Sequence, residues 1–212
     1  MPILYYYPDN ASMAPHMVLE EIGAPFELRL VDRTKKAHKD PDYLRLNPNG
    51  LIPAFVDGDL VLFEAAAICL HLADRHPEAR LAPPLGTAQR AQFYKWLIHL
   101  TNTVQAELMT YFYPERLTDS AADAAVVKAH AEARVGGMFD RIDAALAAGG
   151  PYLLGADFSA ADLYLLMLAG WRRGMANPAS NRPILRKLLD RLVERPAVKR
   201  VFATEGIAAP LH

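Results

Sequence analysis

The sequence predicts a small α/β domain, ordered βαβ then ββα, followed by an all-α domain. Three observations carry this reading. Strand-like runs of apolar and aromatic residues occur only within residues 1–76. Residues 76–86 then gather Pro77, Pro83, Pro84 and Gly86, which interrupt helices and strands alike. Beyond them apolar residues recur at steps of three and four, the helical period. The division is a first domain at 1–76, a linker at 77–86 and a helical domain at 87–212.

The elements follow in order. Residues 3–7, apolar and aromatic between Pro2 and Pro8, read as a buried strand. A loop at 8–11 leads to Ser12, an N-cap residue for a helix through Met13, Met17, Val18 and Glu21 that stops at Gly23. Residues 27–31 alternate polar and apolar as a second strand, and two strands around one helix make a βαβ unit. Residues 32–48 are polar and carry Lys35, Lys36, His38 and Lys39, a loop with a short helix at 41–46. Residues 53–56 and Leu60–Phe63 form a hairpin around Asp57, Gly58 and Asp59, and 64–75 is a helix with Ala67, Ile68, Leu70 and Leu72 as its apolar surface.

In the second half, Phe93, Trp96, Leu97, Leu100, Val104, Leu108 and Tyr111 define a long helix ending near Pro114. A second helix covers 121–148 and stops at Gly149 and Gly150. A third opens at Ser159 and is apolar on nearly every side, which makes it the buried centre of this half. Ser159 with Asp162 three positions on forms a capping box with Asp in place of the usual Glu. Ile184, Leu185, Leu188, Leu189, Leu192 and Val193 give a fourth amphipathic helix, and Pro196 begins a fifth.

Composition narrows the functional classes. Apolar content of 52% and charged content of 22% over 212 residues are those of a folded globular chain rather than a disordered one. A net charge of −1 leaves no basic field to hold nucleic acid or an anionic membrane. The single cysteine, Cys69, rules out an intrachain disulfide or a Cys-rich metal site, and the histidines have no zinc-like spacing. The first ten residues lack the basic and apolar regions of a signal peptide, and the most apolar stretch, 163–171, is too short to span a bilayer. The expectation is a soluble, cytoplasmic protein with neither nucleic acid nor membrane as partner.

Residues 47–74, NPNGLIPAFVDGDLVLFEAAAICLHLAD, are the most informative stretch. They resemble the second half of the thioredoxin-like domain of cytosolic glutathione transferases, and the resemblance extends over nearly the whole chain. It implies glutathione as co-substrate, no metal, and a homodimer in which the α/β domain of one subunit meets the helical domain of the other. In that family the peptide bond corresponding to Ile52-Pro53 is cis, and the residue before the proline pairs its backbone with the cysteinyl part of glutathione like an added strand. Glu64 and Ala65 open a helix. A helix N-terminus takes a carboxylate and Glu64 can take an ammonium, the two groups at the γ-glutamyl end of glutathione. The family usually has Ser or Thr where this chain has Ala65, a loss of one hydroxyl donor or ~1 kcal/mol. The glycyl carboxylate needs a cation, for which the resemblance offers Lys36 and His38.

Activation of the thiol is the decisive chemistry, because thiolate is the nucleophile. The family places a Tyr, Ser or Cys donor between the first strand and the first helix, and this chain has PDNASMAPH there, residues 8–16. Relatives with a cysteine in this loop would carry it at Ala11, so cysteine-based disulfide exchange is not expected. The candidates are Ser12, Asn10 and Tyr6. In the helical domain Gln105 falls near a position where bacterial relatives use a polar side chain close to the thiol. Tyr111, Phe112 and Tyr113 are candidates to line the electrophile pocket. His99 and His130 read as core or surface residues, and His16 has no carboxylate at a spacing that makes a dyad.

The implied activity is attack of glutathione thiolate on a small hydrophobic electrophile by conjugation, dehalogenation or isomerisation. The alternative is a non-catalytic interaction module of the stress-response or translation-associated type, favoured by Ala65 and by the missing Tyr, Ser or Cys donor. A glutathione-dependent peroxide or disulfide reductase is a weaker third reading without a loop cysteine.

Overall fold

A computed structural model describes residues 1–171 and 175–208. Strand β1 (Ile3–Tyr6), helix α1 (Met13–Ile22) and strand β2 (Glu27–Leu30) form the βαβ unit, with β1 and β2 parallel from Ile3 opposite Glu27 to Tyr6 opposite Leu30. After the one-turn helix α2 (Pro41–Leu44) the hairpin β3 (Ala54–Asp57) and β4 (Leu60–Phe63) joins the sheet, β3 antiparallel to β1 with Phe55 opposite Leu4. The strand order is β2-β1-β3-β4, and helix α3 (Ala65–Arg75) packs beside α1. Strands β1 and β2 end one residue earlier than the sequence predicts and α2 two residues earlier, β3 lies one residue later, and β4 has the predicted bounds.

The helical half comprises α4 (Ala88–His99), α5 (Ala106–Phe112), α6 (Ala121–Gly149), α7 (Ala160–Gly170), α8 (Pro183–Val193) and α9 (Pro196–Glu205). The long helix predicted through residues 93–111 is one rod, but Leu100–Gln105 between α4 and α5 is wound as a π-helix. Such a wide turn changes which face later residues present and recurs at functional sites. Leu97, Leu100, Val104 and Leu108 stay in the core while Gln105 and Met109 face the cavity described below.

Every residue of α7 is buried, as its all-round apolar sequence predicts. Its start is held by the capping box. The Asp162 carboxylate accepts from the backbone N–H of Ser159 at 2.8 Å and of Leu153 at 2.9 Å, and Ser159 Oγ accepts from Ala161 N at 3.3 Å. Burial pushes the Asp162 pKa up to about 6, against the lowering effect of those hydrogen bonds. Helix α1 lies against α3 on one side and α7 and α9 on the other, so one apolar core runs from Leu4 and Phe55 through Met17 to Leu165. A smaller cluster of Val31, Tyr43, Ile52 and Ala54 fills the space under α2. Among the described residues no helix is long and apolar enough to cross a membrane, and no group of three or more ligands is arranged to hold a metal.

Candidate active site

A cavity of about 550 Å³ opens between the two halves of the chain. One wall consists of Asp9, Asn10 and Ala11, then Arg33, His38 and Lys39, then Gly50, Leu51 and Ile52. The other is Gln105 and Met109 on the rod, Phe112, Tyr113 and Arg116 at its end, and Trp171 after α7.

The N-terminal wall is built by local hydrogen bonding. Asn10 Oδ1 accepts from Ala11 N at 2.7 Å, which fixes the carboxamide and leaves Nδ2 as its donor end. Ser12 is fully buried, and its hydroxyl donates to Tyr7 O at 3.1 Å and accepts from Tyr7 N at 3.2 Å, closing the loop on itself. Behind the loop, His16 Nδ1 and Glu205 Oε1 lie 2.7 Å apart with both side chains out of solvent, and Glu205 Oε2 accepts from Asp9 N at 3.0 Å. The end of α9 therefore anchors the loop that lines the cavity. The Ile52-Pro53 bond is cis. Just before it, the Leu51 carbonyl accepts from Tyr43 Oη at 2.6 Å and Asn47 Nδ2 at 2.8 Å.

Lys39 folds onto this wall, donating from Nζ to Gly50 O at 3.1 Å. Gly50 has φ +58°, and a Cβ there would stand 2.6 Å from that Nζ and 2.9 Å from His38 O, so only glycine lets the two loops meet. His38 Nδ1 is buried without a hydrogen-bond partner. Its pKa is lowered, first by burial and then by Lys39 and Arg33, which favours the neutral ring.

On the helical wall, Tyr164 of α7 is 1% exposed and donates its hydroxyl to Gln105 Oε1. Burial, then Cys69 and Glu64, raise the phenol pKa and keep it a donor. Gln105 is its hydrogen-bond partner among the described residues, so the amide oxygen is committed and Nε2 is the end left for the cavity. Phe112 meets Trp171 edge-on at 6.4 Å. Arg33 Nη2 reaches across to Tyr113 Oη at 3.3 Å, and the Arg116 guanidinium lies 4.1 Å from the Tyr113 ring centre.

Residues 2–74 match the family model for the glutathione S-transferase N-terminal domain, and residues 102–205 match one for the glutathione S-transferase C-terminal domain. Glutathione S-transferase 3 of Zea mays is 35% identical across 91% of this chain and 89% of its own length. The chain belongs to the glutathione S-transferase family. A glutathione S-transferase of Xanthomonas campestris is 32% identical over 96% of this chain and 98% of its own. Among solved structures, a glutathione transferase from Methylococcus capsulatus superposes with TM-score 0.86 at 34% identity, covering 98% of this chain and all of that one. A Sulfitobacter homologue with bound glutathione gives TM-score 0.89 at 26% identity, covering 98% of this chain and 99% of its own. Membership makes this protein an enzyme of the glutathione transferase type.

Against the family pattern, the predicted site residues fall into two groups. Asn10, His38, Ile52 and Gln105 line the cavity together with Phe112 and Tyr113. Ser12 and Tyr6 are not part of the lining. Ser12 occupies the cap position of α1 with no side-chain cap bond, because both roles of its hydroxyl are taken by Tyr7, and Tyr6 packs toward the His16 ring at 6.1 Å. Lys36 is also outside the lining. It stands in a left-handed turn at φ +58°, and Lys39 is the lysine at the wall. Pro53 follows Ile52 at the head of β3, and Glu64 and Ala65 open α3; none of the three is part of the lining, and Glu64 lies close enough to Tyr164 to raise its pKa. Glu64 is held at φ +73°, a conformation a non-glycine residue adopts at a cost of about 1–3 kcal/mol. Tyr111 turns from the cavity to Lys128, 4.8 Å from its ring centre.

Five residues escaped sequence reasoning. Lys39 was one of several loop charges with nothing to single it out. Arg33, Arg116 and Trp171 converge only in space. The Glu205 partner of His16 lies 189 positions away, which corrects the expectation that His16 has no carboxylate.

Proposed function

We propose that the cavity binds glutathione along its N-terminal wall and activates the thiol for attack on a small apolar electrophile held by the helical wall. The observation that carries this is the meeting, in one cavity, of Ile52, the loop residues Asn10 and Ala11, and Gln105. In this reading the cysteinyl backbone pairs with Ile52 beside Pro53. The γ-glutamyl carboxylate takes the Ala65 N–H at the start of α3, and the ammonium takes Glu64. The glycyl carboxylate lies toward His38 and Lys39. The sulfur then stands near Ala11, with Asn10 Nδ2 and Gln105 Nε2 as donors and the N-terminal end of α1 close by. Each stabilises thiolate over thiol and lowers the pKa. The electrophile rests on Met109, Phe112 and Trp171. The thiol proton has already passed to solvent; the sulfur lone pair forms the new bond to carbon as that carbon's bond to its leaving group breaks and the group departs with the pair, or as a conjugated π bond shifts its pair to the far atom, which takes a proton from solvent.

Calorimetric titration with glutathione and S-hexylglutathione tests this reading. Both are expected to bind at micromolar to millimolar concentration, the hexyl conjugate more tightly because its chain fills the helical wall. Asn10→Ala is expected to raise the bound thiol pKa, and Ser12→Ala to lower stability with little effect on the thiol. Absence of binding by either ligand refutes the reading.

The chain is also read here as a homodimer. Supporting this, β4 is an open sheet edge with Leu60, Val61 and Phe63 exposed, and Tyr94 and Ile98 are exposed on α4. Sedimentation equilibrium of the chain against Val61→Glu tests it, with a shift to monomer expected for the variant. The single cysteine, buried and free as Cys69, supports a reducing cytoplasm as its compartment.

A further inference from the structure

From the cations that glutathione does not need, we infer that the second substrate is an anion: an apolar, unsaturated or aromatic electrophile bearing a carboxylate. This rests on the reading of the cavity as a glutathione site. Arg33, His38, Lys39 and Arg116 all line the cavity, against Asp9 as the acid among its described lining residues. Glutathione brings two carboxylates. One goes to the start of α3, remote from these four groups in the sequence of the wall, and the other to His38 and Lys39. Arg33 and Arg116 are left over.

Their surroundings are unusual for this molecule. Its other arginines mostly pair with acids, as Arg90 does with Asp74, Arg182 with Asp140 and Arg195 with Glu21. Among the described residues neither Arg33 nor Arg116 has an acidic partner, although the chain as a whole carries net charge −1. The nearest acid in sequence to Arg33, Asp32, is occupied by Thr34 and Lys35. Both guanidinium groups meet aromatic rings instead: Arg33 lies 5.9 Å from the Tyr7 ring centre, and the two arginines share Tyr113. Arg33 donates to Tyr113 Oη at 3.3 Å from the N-terminal half, and Arg116 stacks over the same ring at 4.1 Å. Tyr113 thus fixes two cations at the rim of the apolar wall formed by Phe112 and Trp171, leaving guanidinium N–H groups to be met by an acceptor. Trp171 adds a buried indole N–H with no hydrogen-bond partner. An apolar floor edged by two arginines without acids fits a planar apolar body ending in a carboxylate, which Arg binds through paired N–H donors.

The test needs no turnover. S-benzylglutathione and S-(carboxybenzyl)glutathione share everything but one carboxylate, and their dissociation constants are compared by calorimetry at low ionic strength. The carboxylate is expected to tighten binding about 10-fold, a charge-assisted hydrogen bond reduced by the solvent exposure of both arginines. Added salt should shrink that preference. In the double variant Arg33→Gln with Arg116→Gln, two exposed positions that do not carry the core, the preference should fall to about one while S-benzylglutathione affinity changes less than about 2-fold. Equal or weaker binding of the carboxybenzyl conjugate by the unmodified protein overturns the inference. So does a loss of S-benzylglutathione affinity in the double variant with the preference intact, since the arginines would then serve glutathione itself. Failure of S-benzylglutathione to bind at all refutes the glutathione site, a separate outcome from either.

Discussion

Replacing Tyr164 with Phe deletes one oxygen, 1% exposed residue and all, from the far side of Gln105 and touches nothing in the cavity directly. The hydroxyl holds the Gln105 amide with its oxygen turned inward. Without it the half-buried Gln105 oxygen loses its donor, at a cost in stability of about 1 kcal/mol. The amide is then free to turn its oxygen toward the glutathione sulfur, where a carbonyl repels thiolate and a donor would have stabilised it. A hydrogen bond to a charged group contributes about 1.5–3 kcal/mol, and one pKa unit is about 1.4 kcal/mol, so the bound thiol pKa should rise by about one to two units. Affinity for the protonated thiol form should change only slightly. The assay is ultraviolet thiolate absorbance of the glutathione complex against pH, for Tyr164→Phe, Gln105→Ala and the double variant. Each single variant should raise the pKa, and Tyr164→Phe should add nothing in the Gln105→Ala background, because it acts through that amide. A raised pKa in Gln105→Ala with none in Tyr164→Phe refutes the orienting role, and no change in either removes Gln105 from the neighbourhood of the sulfur.

Three further outcomes follow from the same geometry. Ala65→Ser restores the hydroxyl usual in the family at the start of α3, and should tighten glutathione binding about 5-fold by one hydrogen bond, measured calorimetrically. Ala11→Cys puts a thiol in the cavity lining at the proposed sulfur position. With oxidised glutathione it should form a mixed disulfide seen by mass spectrometry, whereas a cysteine that stays reduced under those conditions displaces the sulfur from this loop. Asp162 gives a pH signature. Its pKa is raised from 3.8 to about 6 in the folded chain, so the folded state holds this proton more tightly than the unfolded one. Stability from this group is complete below the ordinary carboxyl value and is lost as pH rises toward 6, a fall of ~3 kcal/mol. Asp162→Asn cannot titrate and should lose that slope in urea melts.

Much of this was legible in the residues themselves. Alternation in 27–31 and the hairpin around Gly58 gave the sheet, and the all-apolar run after Ser159 gave α7, because burial on one face or on every face leaves a period in the sequence. The π turn at Leu100–Gln105 left no such mark, since Leu97, Leu100, Val104 and Leu108 keep helical spacing through it. Ser12 looked like a cap because the local pattern is that of a cap. Its hydroxyl is taken by Tyr7 through the fold of the loop, which spacing does not encode. Lys36 and Lys39 are alike as residues, and a left-handed turn at one and Gly50 beneath the other decide which reaches the wall. Arg33 and Arg116 are 83 positions apart, and only Tyr113 between them in space makes them a pair.

In the proposed reaction this cavity lowers the pKa of glutathione's own thiol without a tyrosine, serine or cysteine supplied by the loop between β1 and α1. Thiolate absorbance of the unmodified protein saturated with glutathione, followed from acid to alkaline pH, tests it most directly. Half-ionisation is expected well below the value of about 8.5 for a free thiol. A midpoint at the free value with glutathione demonstrably bound would contradict it.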